Sequence, residues 1–358
     1  MKIQFLVSKP LNNFGTVLLR CKQPSDYLSK YEIDTSVCNI RSLNLIKNGI
    51  IFFHRTSYNS FTIALAKAAK YSGNILVYET DDLTLNYGKR NNFCELCDAI
   101  SVSTEFLKTE FSAYGKNIRV LKNALSNEFL EKANLKNTNT NKNNNQITLA
   151  FFSGSSSHDE DFKIIEKSLL IILKKHLHVK LLICGKIKFS DSFYLFKDRF
   201  EYNEFMPYVE FIEIYKKIDI ILVPLTDTKF NHGKSELKFI EAGAFGITTI
   251  ASDCYTYSRV INHGKNGILI SKNEGWNFWI EKLIYNQDLR NKIGNAARDY
   301  VIKNYTPSVR ASEYIDFNND LTRKIETKSN RFLHNYYMIV ASLNLYAKIL
   351  KFYLKLSK

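Results

Sequence analysis

Lys234 and Glu241 stand seven residues apart in NHGKSELKFIEAGAFGITTIAS (231–252), nearly two helical turns, a spacing that puts both on one helix face. A lysine followed by Ser235 at a helix start can meet phosphate oxygens, with Leu237 beside them. A carboxylate roughly 10 Å further along the axis can accept a ribose diol. Taken alone, such a pair is equally a solvated salt-bridging face. A second anion-binding feature lies in FFSGSSSHDEDF (151–162), which reads as strand, small-residue loop and helix. Ser153, Gly154, Ser155, Ser156 and Ser157 allow close backbone approach to a diphosphate at a helix N-terminus, where N–H groups are unpaired. The competing account is that Ser157 or Asp159 is simply a helix cap. Lys186 closes the strand VKLLICGK (179–186) and is a further candidate cation at a strand end.

A second set of candidates lies in the first half. VYETDDL (77–83) puts Glu79, Asp81 and Asp82 at a strand end, where three carboxylates could hold a cation, cap a following turn, or line a cleft wall and orient an acceptor; the cleft-wall or acceptor-orienting role is preferred to metal. FFHRTSYN (52–59) ends another strand with His54, a base near neutral pH or a packed histidine, and Arg55, an anion clamp. The six cysteines include one close pair, Cys94 and Cys97, with no second pair to complete a zinc site. Both thiols read as packing residues in a reducing compartment. Gly264 and Gly267 in NHGKNGILI are expected to serve a tight turn.

The elements that position these residues alternate strand and helix, which predicts parallel α/β architecture. KIQFLV, GIIFFH, NILVYET, AISVS and IRVLKN (118–123) read as strands, with the helix SFTIALAKAAKYSG (60–73) among them. KANLKNTNTNKNNNQ (132–146) is Asn-rich without an apolar face and reads as a mobile linker. ITLAFFSG, VKLLICGK and DIILVPL then form a second α/β series. The expected organisation is a Rossmann-like domain (1–131), the linker (132–146), a second Rossmann-like domain (147–305), and C-terminal helices with a basic amphipathic tail (306–358). Two such domains are expected to face each other, with ligands outside the carboxyl ends of the strands.

At 358 residues and 45% apolar content the chain supports two full cores without disulfides. Its net charge of +15 points to anionic partners, but +7 of it lies between Arg323 and Lys358. No stacking or groove-reading motif supports nucleic-acid binding. No G-x-G-x-x-G follows an early strand, which argues against a dinucleotide-dependent dehydrogenase. The opening run MKIQFLVSKP reads as a first strand, too short in its apolar part for a signal peptide.

KSELKFIEAGAFGITTIASDCYTYSRVINHGKNGILI resembles the donor-binding half of the group 1 (family 4) glycosyltransferases. FFSGSSSHDEDF, VYETDDL and CDAISVSTEFLKTEFSAYGKNIRVLKNAL resemble other segments of that family in the same order, over about residues 40 to 305. The resemblance implies the two-domain GT-B fold, with 1–131 on the acceptor side and 147–305, Lys186 included, on the donor side, and a hexosyltransferase that uses a nucleoside diphosphate sugar, with Lys234 on the diphosphate and Glu241 on the ribose. It further implies retention at the anomeric carbon, no metal or cofactor, and a glycan or lipid-linked glycan acceptor in surface polysaccharide, lipopolysaccharide or capsule synthesis. Many members carry a Glu eight residues before the ribose Glu, near the transferred sugar; this chain has Gly233 there. That departure motivates the alternative of a non-catalytic scaffold or binding subunit.

RFLHNYYMIVASLNLYAKILKFYLKLSK (331–358) has an apolar stripe at Leu333, Tyr336, Val340, Leu343, Ala347, Leu350 and Leu354, beside Lys348, Lys351, Lys355 and Lys358. Its longest uncharged run, Phe332 to Ala347, is 16 residues and falls short of the ~20 that span a bilayer. The stripe is expected either to lie on an anionic membrane, making a cytoplasmic protein peripheral at the inner face of the plasma membrane, or to pack on the first domain or a partner helix.

Overall fold

The computed structural model describes residues 1–8, 15–83, 92–136, 146–154, 158–204, 206–271 and 275–356. They form two compact units, 1–124 with 307–358, and 125–306. The first unit holds six strands, β1 (Lys2–Val7), β2 (Asp34–Asn39), β3 (Ile50–His54), β4 (Ile75–Thr80), β5 (Ala99–Val102) and β6 (Asn117–Val120), in the order β2-β1-β3-β4-β5-β6. The second holds β7 (Ile147–Phe152), β8 (Val179–Cys184), β9 (Phe200–Asn203), β10 (Ile220–Val223), β11 (Thr248–Ser252) and β12 (Ile268–Ile270), in the order β12-β11-β10-β7-β8-β9. All neighbouring strands are parallel.

Central strands are apolar nearly throughout because both faces of each sheet are covered. Along β7, Leu149 and Phe151 join Phe162, Ile165 and Leu169 of the helix Asp159–Lys175 in one core. Ala150 and Phe152 turn to the opposite core, with Phe239 and Ile240 of the helix Leu237–Ala244. In the first unit, Ile51, Phe53 and Leu76 pack on Leu65 and Ala69 of the helix Ser60–Lys70. That helix starts with a capping box: Thr62 N–H donates to Asn59 Oδ1 (3.2 Å) and Asn59 N–H to Thr62 Oγ1 (3.0 Å). The other face of the same sheet, Ile3, Phe5, Ile50 and Phe52, is covered by Tyr314, Phe317 and Leu321 of the helix Pro307–Lys324. The chain therefore returns to finish the core of its first unit. Cys94 and Cys97 are buried packing residues in that unit.

Several expectations are corrected. Residues 132–136 of the expected linker are helical: Asn127–Lys136 is one helix, anchored by Phe129 and Ala133 in the core of the second unit. The rest of the Asn-rich run, 137–145, lies outside the described residues. IRVLKN is strand only to Val120. The strands β2, β9 and β12 were not anticipated, and each is a sheet edge. Lys234 and Ser235 are not in the first turn of a helix, because the short helix Lys229–His232 ends at Gly233 and the next begins at Leu237. The turn Gly264 does adopt left-handed backbone (φ 75°), and its N–H donates to the Gly267 carbonyl at 2.9 Å.

The C-terminal helix Arg331–Leu356 docks on the helix Ser60–Lys70, but not by the stripe read from the sequence. Ala341 is fully buried there, Tyr337 stacks on Tyr71 (centroids 5.7 Å apart), and His334 Nδ1 lies 2.7 Å from Ser72 Oγ. Tyr336, Leu343, Ala347 and Leu350 of the stripe are exposed, and only Leu333 and Val340 are half-buried. Side-chain placement at Leu354 lies outside the description. Ala341→Glu is expected to destabilise the protein by about 3 kcal/mol in urea unfolding, since the new carboxylate is buried without a partner. Ala347→Glu, on the exposed side, is expected to change stability by less than about 0.5 kcal/mol.

Candidate functional site

In the second unit the chemistry gathers at the carboxyl ends of β7, β8 and β10. The Ser153 N–H continues the β7–β8 ladder to the Cys184 carbonyl (2.8 Å), and Ser153 Oγ donates to the Lys186 carbonyl at 3.3 Å. Gly185 makes this approach possible. It sits at φ 105°, and a Cβ there would fall 1.8 Å from the Ser153 carbonyl oxygen. Ser153 is half-buried and Gly154 exposed, while Ser155 to Ser157 lie outside the described residues. The Lys186 ammonium is exposed and makes no hydrogen bond or ion pair among the described residues; only its carbonyl is engaged.

His158 immediately precedes the helix Asp159–Lys175 and is buried. Its Nδ1 lies 2.7 Å from Asp161 Oδ2 and its Nε2 3.0 Å from Lys234 Nζ. An ammonium can only donate, so Nε2 accepts and Nδ1 carries the proton given to Asp161. Burial pushes the imidazole down to about 4, with Lys238 and Lys234 adding to the shift and Asp161 opposing it. Burial works against the Asp161 carboxylate too, but hydrogen bonds from His158 and Thr226 outweigh it and hold its pKa below the usual value. Asp161 Oδ1 also accepts from Thr226 N–H (2.7 Å), Thr226 Oγ1 (2.8 Å) and Asn231 Nδ2 (2.9 Å). The turn carrying Lys234 is tied down by Thr256 Oγ1, which donates to the Lys234 carbonyl at 2.5 Å.

In the first turn of the next helix, Lys238 rests over the Phe151 ring, 5.5 Å from its centroid. Burial, then the charge of Lys234, lowers its pKa to about 8 against the pull of Asp161 and Glu241. Glu241, 4% exposed, accepts a hydrogen bond from Tyr215 Oη at 2.7 Å. Burial raises its pKa to about 7 despite Tyr215 and Lys238. Leu237 opens the helix half-buried against the same core, and Ser235 stands in the turn before it. Lys234, Lys238 and the neutral His158 thus form one electropositive group, with Glu241 one helical turn beyond Lys238. A cavity of about 660 Å³ at the amino ends of β7 and β8, lined by Lys180, Arg199 and Lys216, lies at the other end of the sheet from these residues.

In the first unit, His54 and Glu79 are paired across β3 and β4. Glu79 is fully buried, with one oxygen accepting from Arg20 Nε (2.7 Å) and the other in a short contact with His54 Nδ1. Burial disfavours its charge, yet Arg20 and His54 bring its pKa down to about 2. Arg20 further donates to the Leu121 carbonyl (2.6 Å) and Asn123 Oδ1 (3.0 Å). Arg55 holds a left-handed backbone (φ 46°), a strain of roughly 1 kcal/mol or more. Its guanidinium faces Asp81 (2.6 Å) and Asp82 (3.5 Å). The expected anion clamp is therefore already matched by carboxylates, and the expected acceptor-side Glu79 is an internal anchor. Ligating atoms of Cys21, His54 and Glu79 lie within 4.8 Å of one another, but both Glu79 oxygens are taken and burial pushes the Cys21 thiol up. That set does not fit a cation.

Residues 134–300 match the family model described as glycosyl transferases group 1. The second unit is a group 1 glycosyl transferase domain. Solved structures similar to the chain share little sequence but most of the fold. A glycosyltransferase from Rickettsia africae (TM-score 0.65, 14% identity) covers 90% of this chain and 99% of its own. Anabaena HepE in complex with UDP (TM-score 0.63, 14% identity) and the sucrose-phosphate synthase of Thermosynechococcus elongatus (0.60, 10%) each cover 90% of this chain and 100% of their own. No curated protein matches the chain. The architecture is the GT-B fold, and the protein is a glycosyltransferase.

Within this glycosyltransferase, the sequence reading missed His158, Asp161, Lys238, Tyr215, Gly185 and Arg20. Lys238 carried a usable signal, four residues after Lys234 and three before Glu241 on one face. The others depend on contacts from distant segments. An anion bound beside Lys238 would restore its charged form, so pyrophosphate binding at pH 8 is expected to take up a proton, read as a buffer-dependent calorimetric enthalpy. Lys238→Met should abolish the uptake; uptake unchanged in that variant would remove Lys238 from the site.

Proposed function

We propose that the protein transfers a sugar from a nucleoside diphosphate sugar to a hydroxyl of a glycan or lipid-linked glycan on the cytoplasmic side, in the synthesis of surface polysaccharide, lipopolysaccharide or capsule. The observation that carries this reading is the group Lys234, Lys238 and neutral His158, with the Glu241 carboxyl one turn further. Two cations whose charges repel each other, beside a helix N-terminus, are relieved by a diphosphate. Solved relatives of the fold hold UDP or UDP-glucose, which makes a uridine diphosphate sugar the first donor to try.

In the proposed reaction the bond from the anomeric carbon to the diphosphate oxygen breaks, and the acceptor hydroxyl oxygen bonds to that carbon on the same face. The hydroxyl proton passes to the departing phosphate oxygen. Lys234, Ser235 and Lys238 stabilise the charge that develops on the diphosphate. Glu241 exchanges its Tyr215 partner for the ribose diol. No metal or further cofactor is invoked, and His54, engaged with Glu79, has no part as the base.

Calorimetry against a panel of UDP- and GDP-sugars, followed by product analysis with glycan acceptors, tests this. One donor should bind, Lys234→Ala and Lys238→Ala should each weaken it at least tenfold, and the product should keep the donor's anomeric configuration. Wild-type affinity in both variants would remove the site assignment. Donor binding without turnover would favour a binding subunit, the reading that Gly233 motivates.

Glu241→Gln separates binding from stability. With a folded pKa of about 7 against 4.5 unfolded, the native protein holds an extra proton between those values, so the group costs stability as pH rises through 7. The Gln variant should be more stable than wild type at pH 8, by on the order of 3 kcal/mol, with the gain vanishing near pH 4.5. It should bind donor more weakly at both.

A further inference from the structure

The C-terminal helix Arg331–Leu356 is apolar on two opposite sides. One side is docked on the helix Ser60–Lys70 through Tyr337, Met338 and Ala341. On the other side Phe332 (78% exposed), Tyr336 (53%), Ile339 (61%), Leu343 (64%), Tyr346 (67%) and Leu350 (47%) follow one another at steps of four and three. That spacing keeps them in one line, roughly 27 Å long at 1.5 Å per residue. A line of large side chains in water is a surface meant for an occupant.

We infer that this line rests on a lipid bilayer bearing anionic headgroups. Charge decides between occupants. The helix contains no Asp or Glu, while Arg331 and Lys351 are exposed, one on each flank of the line. A second copy would bring the same cations and no carboxylate on this helix to meet them, in a chain with net charge +15. Anionic headgroups supply the missing charge, and the interfacial zone accepts Tyr and Phe beside aliphatic side chains. Among the described residues no helix is long and apolar enough to cross the bilayer, so the helix lies along the surface. Its opposite side is already packed, so it meets the membrane as an ordered helix with its apolar line outward.

Flotation of the full chain with vesicles tests the inference. At low salt it should float with vesicles of phosphatidylcholine containing 30% phosphatidylglycerol, at least tenfold more than with phosphatidylcholine alone. Salt should reduce this partly, since the apolar contact is not screened. Ile339→Asn with Leu343→Asn should lower vesicle binding at least tenfold, with the melting temperature and UDP binding retained as evidence of folding. Arg331→Gln with Lys351→Gln should abolish the preference for the anionic vesicles. Absence of flotation with anionic vesicles, or unchanged flotation in the Ile339/Leu343 variant, overturns the inference. So does a wild-type dimer in sedimentation that this variant dissociates, which would assign the line to a second copy.

Discussion

The Asp161 carboxylate holds the second unit's polar cluster together. Through its two oxygens it engages His158 at the end of the β7 loop, Thr226 after β10, and Asn231 in the short helix before Lys234. Segments that begin at different strands are thereby fixed at one point, and the tautomer of His158 follows from the same contact. With Nδ1 committed to Asp161, Nε2 has only a lone pair to offer, and that lone pair positions Lys234. Without the carboxylate, Lys234 and Lys238 would face an unrestrained imidazole and separate.

The first unit repeats the device with a different purpose. Glu79, buried at the carboxyl end of β4, joins Arg20 and His54 and stays ionised because a guanidinium lies against it. There the charges are matched and the set is closed. In the second unit they are mismatched: Lys238 and Glu241 are both pushed toward their neutral forms. A closed set stabilises an unfolded-to-folded transition, whereas a mismatched one stores electrostatic cost that a bound anion and diol can relieve.

Much of the fold was legible. Central strands such as ITLAFF and IIFFH are covered on both faces, and their apolar runs stand out from any surroundings. The strands that escaped notice, β2, β9 and β12, are edges: DTSVCN and FEYN mix polar and apolar residues because only part of each is covered. The helix Asn127–Lys136 was hidden by its own Asn content, since two residues, Phe129 and Ala133, suffice to anchor it. The periodicity of the C-terminal helix was plain, but helical periodicity cannot say which of two apolar sides meets protein. Ala341 and Tyr337 match the helix Ser60–Lys70 in shape, and the larger residues on the opposite side do not enter that contact.

By itself the sequence determined the alternation of strand and helix, the division into two α/β units, and the presence of Lys234 and Glu241 near strand ends. These follow from periodicity and local spacing, which neighbouring residues carry. Tertiary structure alone decided the chemical state of those groups. Glu241 is pushed toward its neutral form by burial and meets Tyr215 from 26 residues away; Lys234 is positioned by His158 from 76; Glu79 is ionised by Arg20 from 59. A pKa or a hydrogen-bond partner is a property of the surroundings, and those surroundings exist only once distant segments have packed.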